Sequence, residues 1–485
     1  MFKKLCAVVA VACSVGLGAG ASAQGCAEDI NGDGQINAVD LASVLSGWGY
    51  CPGEVTSVTP LHGSILGGTQ ITINGANLAG TLAVKIDGVA CTNLQVLSPT
   101  LVKAVTPAGV AGAASIAVIS AAGTQLAPSP FTYVLLSISS VSPNQGSFSG
   151  GTAITITGTF LNGATSVKVG GVPATNVVAV DSTTVTAVTP AGSVGAASVE
   201  VTGAKGTATA SAAFTYFFVP SWATMLEGLP DPAVVTNATL RNAITATNLP
   251  WRVRDNASNI EMLLVPPGTF TMGCSASLQS VCNANEIPTH QVTLTNAFYL
   301  GRYEVTQAQW LAEMGTNPSF FQGPSYPDAA IRPVERVSWD MLQPFCTQNG
   351  LRLPTEAEWE YACRAGTTTA FPNGSNDGNT IGTIAWYNMN SGSQTNAIGG
   401  KLANGLGLHD MSGNAYEWTN DRFGTYPSGA QTNPTGPASG TNRVVRSGGW
   451  NDDANHSRVS YRSSGTPDFI PIGIYGVGFR VARNP

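Results

Sequence analysis

Through the first half of the chain, apolar and polar residues alternate with a period of two. Ile71-Thr72-Ile73 and Ile154-Thr155-Ile156 show it most plainly. Successive side chains on a strand point to opposite faces, so this alternation buries one face and wets the other. Turn residues interrupt it at short intervals, which predicts a β-sandwich. The pattern occurs twice, over residues 55–133 and 138–216, at a constant offset of 83. Pro60 matches Pro143, Gly67-Gly68-Thr69 matches Gly150-Gly151-Thr152, Pro107-Ala108-Gly109 matches Pro190-Ala191-Gly192, and Phe131-Thr132-Tyr133 matches Phe214-Thr215-Tyr216. Neither copy carries paired carboxylates, a histidine cluster or a nucleophile beside a base. They read as a stalk, with carbohydrate or protein binding as the sharper alternative.

Beyond Phe217 the texture changes. Asp231-Pro232 opens a stretch through Leu240 and Ile244 that predicts a short amphipathic helix ending before Leu249-Pro250. The run Leu263 to Gly273 predicts a strand, a turn and a second strand. Helices are expected at Trp310, after Trp339 and after Thr355. Pro344 should remove a backbone bond from the second and bend it. Thr355 and Glu358 stand at capping-box spacing at the start of the third. Short helices among many Gly and Asn turns predict a mixed α+β domain.

The 485 residues exceed one core and predict several domains: a leader over 1–23, a small module over 24–53, sandwiches over 54–134 and 135–217, a connector over 218–259 and a final domain over 260–485. A formal net charge of −6 with no basic stripe excludes a nucleic-acid binder. Lys3 and Lys4, the apolar run Leu5–Leu17 and Ala21-Ser22-Ala23 before Gln24 predict an exported protein. No later run is long enough for a membrane span. Seven cysteines follow the predicted cut, and several of them can pair in an oxidising compartment. Cys26 and Cys51 bracket the small module, Cys274 and Cys282 bracket a short loop, and Cys346 and Cys363 lie near two predicted helices.

Asp29, Asn31, Asp33, Asn37 and Asp40 occupy positions 1, 3, 5, 9 and 12 of a loop, with Gly34 at the sharp turn and the Gln35 carbonyl at position 7. A hard cation needs six to eight converging oxygens, so Asp29, Asn31, Asp33, Gln35 and Asp40 are candidate calcium ligands. The segment resembles one calcium half of a type I dockerin. The competing reading is a polar turn with chance acids. The two sandwich repeats, with S-V-x-P, G-G-T-x-I-T-I and F-T-Y, resemble the IPT/TIG immunoglobulin-like family, which implies spacing or binding.

The final domain carries Phe298-Tyr299-Leu300-Gly301-Arg302-Tyr303-Glu304-Val305-Thr306, Arg332-Pro333-Val334, Arg352-Leu353-Pro354-Thr355-Glu356-Ala357-Glu358-Trp359, Gly407-Leu408-His409-Asp410-Met411-Ser412-Gly413-Asn414-Ala415-Tyr416-Glu417-Trp418, Arg446-Ser447-Gly448-Gly449-Trp450 and Gly478-Phe479-Arg480. In this order they resemble the formylglycine-generating-enzyme, or sulfatase-modifying-factor, family. The resemblance implies a C-type-lectin-like fold and a second calcium on the carbonyls of Ser412, Gly413 and Ala415 and the carboxylate of Glu417. The alternative is that Glu417 pairs with an arginine. It also implies a copper ion held by two cysteines between the Gly-Gly pair and the final Gly-Phe-Arg. That stretch, Gly448 to Phe479, contains none. A cuprous ion prefers thiolate, so copper is not expected. His62, His290, His409 and His456 lack metal-ligand spacing.

Two classes remain. The first is a module presenting Trp450, Asn451, Asp452, Asp453, Asn455, His456, Arg458, Tyr461 and Arg462 to an extracellular protein or glycan ligand, a polar and partly aromatic set suited to hydrogen-bonded recognition. The second is catalysis, either formylglycine-generating oxidoreductase chemistry or another enzyme activity. Adjacent Asp452 and Asp453 do not by themselves supply a nucleophile with its base.

Overall fold

The computed structural model describes residues 53–274, 282–468 and 476–485. The expected leader and the calcium loop of Asp29, Asn31, Asp33, Gln35 and Asp40 lie outside the described residues.

In the first repeat, strands Glu54–Thr59, Gln70–Ala76, Leu101–Val105 and Thr92–Ser98 form one sheet, and Gly123–Leu126, Ile116–Ser120, Thr81–Ile86 and Val89–Ala90 form another. Ile71, Ile73, Val84, Ile86, Val102, Ile116, Val118 and Phe131 supply its core. The second repeat has strands at matching places, including Ala153–Thr159 and Thr184–Val188 in one sheet and Ala164–Val169 in another.

The repeated Gly-Gly-Thr has a steric cause. Gly67 and Gly150 adopt φ of 75° and 79°. A Cβ on either would come within 2.5 Å of the carbonyl carbon of Pro107 or Pro190. The repeated Phe-Thr-Tyr has a hydrogen-bonding cause. Tyr133 Oη donates to the Pro107 carbonyl at 2.7 Å and Tyr216 Oη to the Pro190 carbonyl at 2.8 Å. Tyr133→Phe and Tyr216→Phe keep the ring and lose that bond, so each should cost about 0.5–1.5 kcal/mol in urea unfolding. Unequal losses would show that the two hydroxyls play different parts.

In the C-terminal region, Ala223–Glu227, Arg252–Asp255, Glu261–Val265, Phe298–Gly301 and Ala482–Arg483 form one antiparallel sheet in that order. Residues 218–259, expected as a connector, thus contribute two strands to this sheet. Met262 through Val265 are all buried, which is why this strand reads as a continuous apolar run instead of alternating. Gly268–Met272, His290–Leu294 and Gln431–Thr432 form a second sheet. Ser463–Gly465, Arg443–Arg446, Tyr416–Arg422 and Val477–Phe479 form a third.

Among the described residues, four α-helices accompany these sheets. Helix α1 (Ala238–Ala246) is capped by Asn237, whose side chain accepts from Thr239 and Leu240. It starts later than Asp231-Pro232 suggested, because Asp231 is spent on a turn, accepting from the amides of Ala233 and Val235. Helix α2 (Gln307–Met314) begins at Thr306. Helix α3 (Trp339–Asn349) runs through Pro344 and ends at Gly350, φ 64°. Helix α4 (Glu356–Arg364) has the expected capping box: Glu358 N donates to Thr355 Oγ1 at 3.1 Å, and Thr355 N to Glu358 Oε2 at 2.8 Å. Cys274 and Cys282 are disulfide-bonded, whereas Cys346 and Cys363 are buried free thiols. Among the described residues no helix is long and apolar enough to cross a membrane.

Candidate functional site

The motif residues of the C-terminal region converge on buried ion pairs. Helix α4 projects Glu356 and Glu360 inward, one turn apart. Arg446, with no exposed surface, bonds Glu360 Oε2 at 2.6 Å and Glu356 Oε1 at 3.2 Å. Arg364 takes Glu360 Oε1 at 2.7 Å, and Gly273 N donates to the same oxygen at 2.9 Å. Burial alone would lift the Glu360 acid, but Arg364 and Arg446 hold it below the ordinary carboxylate range. Arg462 grips Glu356 through Nε at 2.8 Å and Nη2 at 2.7 Å. Arg458 grips Glu286 at 2.6 and 2.7 Å, and Ser460 adds a bond at 2.7 Å.

These bonds correct part of the expected ligand surface. Arg458 and Arg462 are 2% exposed and Trp450 6%. The two guanidiniums point inward because each finds a buried carboxylate contributed by a distant segment, and Trp450 packs edge-on against Phe321.

What remains outward is a smaller patch. Asp453 accepts from Asn455 N at 2.9 Å and opens a short turn at Ala454–Ser457. This turn leaves Asp453 and Asn455 exposed. His456 Nδ1 lies 2.9 Å from Asp453 Oδ1, and its ring meets that of Tyr461 at 4.7 Å. Partial burial works against the Asp453 charge, but the His456 bond and the Asn455 amide hold its acid below the usual range. Asp452 Oδ2 accepts from Gly449 N at 2.9 Å. Tyr416, itself buried, lies beneath these residues: burial first, then the neighbouring Asp452 charge, pushes its phenol well above the ordinary range. Sequence reasoning placed it only in a motif. Asn451 Oδ1 and Trp450 Nε1 are buried and find no partner among the described residues.

Of the oxygens expected around a second calcium, the Gly413 carbonyl and the Glu417 carboxylate already accept hydrogen bonds. Ser412 Oγ donates to the Ser457 carbonyl, the Gly413 carbonyl accepts from Ser447 Oγ at 3.1 Å, and Ala415 N donates to Glu304. Both Glu417 oxygens accept from Arg480, at 2.7 to 3.0 Å, and Oε2 also accepts from Trp359 Nε1 at 2.6 Å. The alternative is what is found: Glu417 pairs with an arginine. A cation on this carboxylate would have to compete with Arg480 for it.

Beside it lie two further buried acids, Glu304 and Asp410. Glu304 is lifted by burial, then by Asp410 and Glu417. Burial pushes the Asp410 acid up to about 6, against the pull of the Gly399 amide, which donates to Oδ2 at 2.7 Å. Asp410 Oδ1 has no partner among the described residues. The linkage sign follows directly. Below pH 4 both folded and unfolded states hold this proton. Between pH 4 and 6 the unfolded chain releases it first and stability falls, and above pH 6 the loss is complete. Asp410→Asn should flatten this slope and raise stability at pH 8 by about 2–3 kcal/mol. Asn accepts the positive φ of 56° found here. Urea titrations of both proteins at pH 4 and pH 8 read it directly; parallel curves would refute it.

With this geometry in hand, the comparisons decide the family. Residues 247–485 match the model of the sulfatase-modifying factor enzyme 1-like domain, and residues 54–133 and 136–216 each match the IPT/TIG domain. The formylglycine-generating enzyme of Bos taurus is 30% identical over 289 residues, covering 46% of this chain and 75% of its own. The chain belongs to the sulfatase-modifying-factor family. Chaperone protein LppX of Paenibacillus barcinonensis is 33% identical over 259 residues, covering 41% of this chain and 82% of its own. Among solved structures, Treponema denticola variable protein 1 is 28% identical, covers 47% of this chain and 95% of its own, and aligns with a TM-score of 0.40.

The copper chemistry expected of catalytic sulfatase-modifying-factor proteins asks for two thiolates, and the sulfurs present do not supply them. Burial pushes the Cys346 and Cys363 thiols up to about 12, and Cys363 Sγ donates to the Met411 carbonyl. Cys274 and Cys282 approach the relevant segment, with Cys282 Sγ 3.6 Å from Arg458 Nη1. Their sulfurs are joined to each other, and a disulfide sulfur is not a thiolate. The donor set does not fit a cuprous ion.

Proposed function

We propose that this protein is exported and that its C-terminal domain, a C-type-lectin-like member of the family, binds an extracellular protein or glycan instead of oxidising one. The paired immunoglobulin-like domains act as its stalk. The observation that carries this reading is the lack of any cysteine between Gly448 and Phe479, where the family's copper ligands belong. The patch of Asp452, Asp453, Asn455, His456 and Tyr461 is the ligand surface, with the buried Tyr416 beneath it. Calcium belongs to the N-terminal loop of Asp29, Asn31, Asp33, Gln35 and Asp40. Two relatives at comparable coverage are named a chaperone and an enzyme, so family membership alone does not dictate oxidation.

The full mature chain should bind at least one member of a glycan and protein array. Asn455→Ala and Tyr461→Ala should weaken that binding while leaving the thermal transition unchanged. Oxygen uptake with a cysteine-containing sulfatase peptide, after copper loading with and without a reductant, tests the oxidase alternative. Turnover in either condition overturns the proposal, and turnover confined to the reduced sample would point to Cys274 and Cys282.

A further inference from the structure

A second cleft, of about 460 Å³, opens between Gly424–Pro427, Gln431–Pro437, the start of helix α4 and His290. It shares Glu356 and Arg462 with the ion-pair framework but none of the outward patch. Three features define its chemistry. First, its floor includes Asp421, 3% exposed, whose Oδ1 is shielded from water and has no partner among the described residues. Second, the other charged groups on the lining are already engaged: Arg462 holds Glu356 through two bonds, and Tyr426 Oη donates to the same carboxylate at 3.1 Å. Asp421 itself forms no salt bridge among the described residues, and Arg462, whose charge acts on it, is already bonded to Glu356. Third, Pro427, Pro434 and Pro437 give the walls apolar faces, and His290 and Tyr426 set two rings 4.9 Å apart.

An isolated buried carboxylate is costly unless a donor, and best a cation, reaches it. A cleft with one acidic end and apolar walls fits a short stem carrying a positive, three-donor head. We infer that this cleft binds a small primary amine, with the ammonium on Asp421 and the alkyl or sugar-ring stem against the prolines. Burial and the neighbouring Glu356 charge lift the Asp421 acid well above its ordinary range. The Glu356 amide and the Arg462 charge pull the other way without cancelling this rise. The inference stands whether or not the outward patch binds anything.

Ligand-observed NMR on the full mature chain tests it with n-butylamine and glucosamine, and with n-butanol and glucose as neutral counterparts. At least one amine should bind saturably, and its neutral counterpart at least tenfold more weakly. n-Butylamine alone binding would assign an alkylamine; glucosamine alone would assign an amino sugar. Asp421→Asn should lose at least tenfold in amine affinity. The same variant should melt no lower than the wild-type chain, since it removes an unpaired charge, so lost binding cannot be ascribed to unfolding. Saturation by neither amine overturns the inference. Equal binding of amine and neutral counterpart, or amine binding unchanged in Asp421→Asn, overturns it as well.

Discussion

Arg446→Met is expected to destabilise the C-terminal domain by about 3–5 kcal/mol, a large fraction of the stability of a typical domain. The wild-type guanidinium is fully buried and bonds Glu356, Glu360 and the carbonyls of Val459 and Ser460. Methionine fills much of the volume and supplies none of the five donors. Glu360 then keeps only Arg364 and the Gly273 amide, and Glu356 keeps Arg462 and Tyr426. The cost comes from desolvated carboxylates that have lost a counter-charge, not from the intrinsic strength of an ion pair. Replacing Arg446, Glu356 and Glu360 together with apolar residues should therefore cost less than Arg446→Met alone. Urea midpoints of the two variants decide between these accounts, and a single-variant loss below about 1 kcal/mol would sink the argument.

Glu417→Gln should be equally severe, again about 3–5 kcal/mol, and insensitive to calcium. The side chain has no exposed surface, and its oxygens take Arg480 from one side and Trp359 Nε1 from the other. Glutamine retains one acceptor for Arg480, beside the carbonyls of Gly301 and His409, but removes the paired charge. If the carboxylate serves Arg480, the loss is the same in calcium and in chelator. If it serves a cation instead, calcium stabilises the wild-type chain and the variant loses that increment. Thermal transitions of both proteins in calcium and in chelator, with the N-terminal loop acids replaced in both, separate the outcomes.

Several structural features were legible because their causes are local. The 83-residue repeat marks turns where a Cβ would strike a proline carbonyl carbon and tyrosines that reach that same carbonyl's oxygen. The capping box at Thr355 and Glu358 needs partners only three residues apart. The disulfide joins cysteines only eight positions apart. The missing cysteines are visible as letters.

The sequence by itself therefore determined the two sandwiches, the family of the C-terminal domain and the absence of its copper ligands. It did not determine which polar residues of Trp450–Arg462 face outward. Arg458 turns inward to meet Glu286, which lies 172 residues away, while Asp453 and Asn455 three to five residues earlier stay in solvent. The segment passes through a short 3-10 turn, so no period of two or 3.6 assigns its faces. A charged residue is buried only where a distant partner compensates its desolvation. Glu417 with Arg480, Arg458 with Glu286, and Asp421 with its Oδ1 unpartnered among the described residues look alike as letters, and tertiary packing alone distinguishes them.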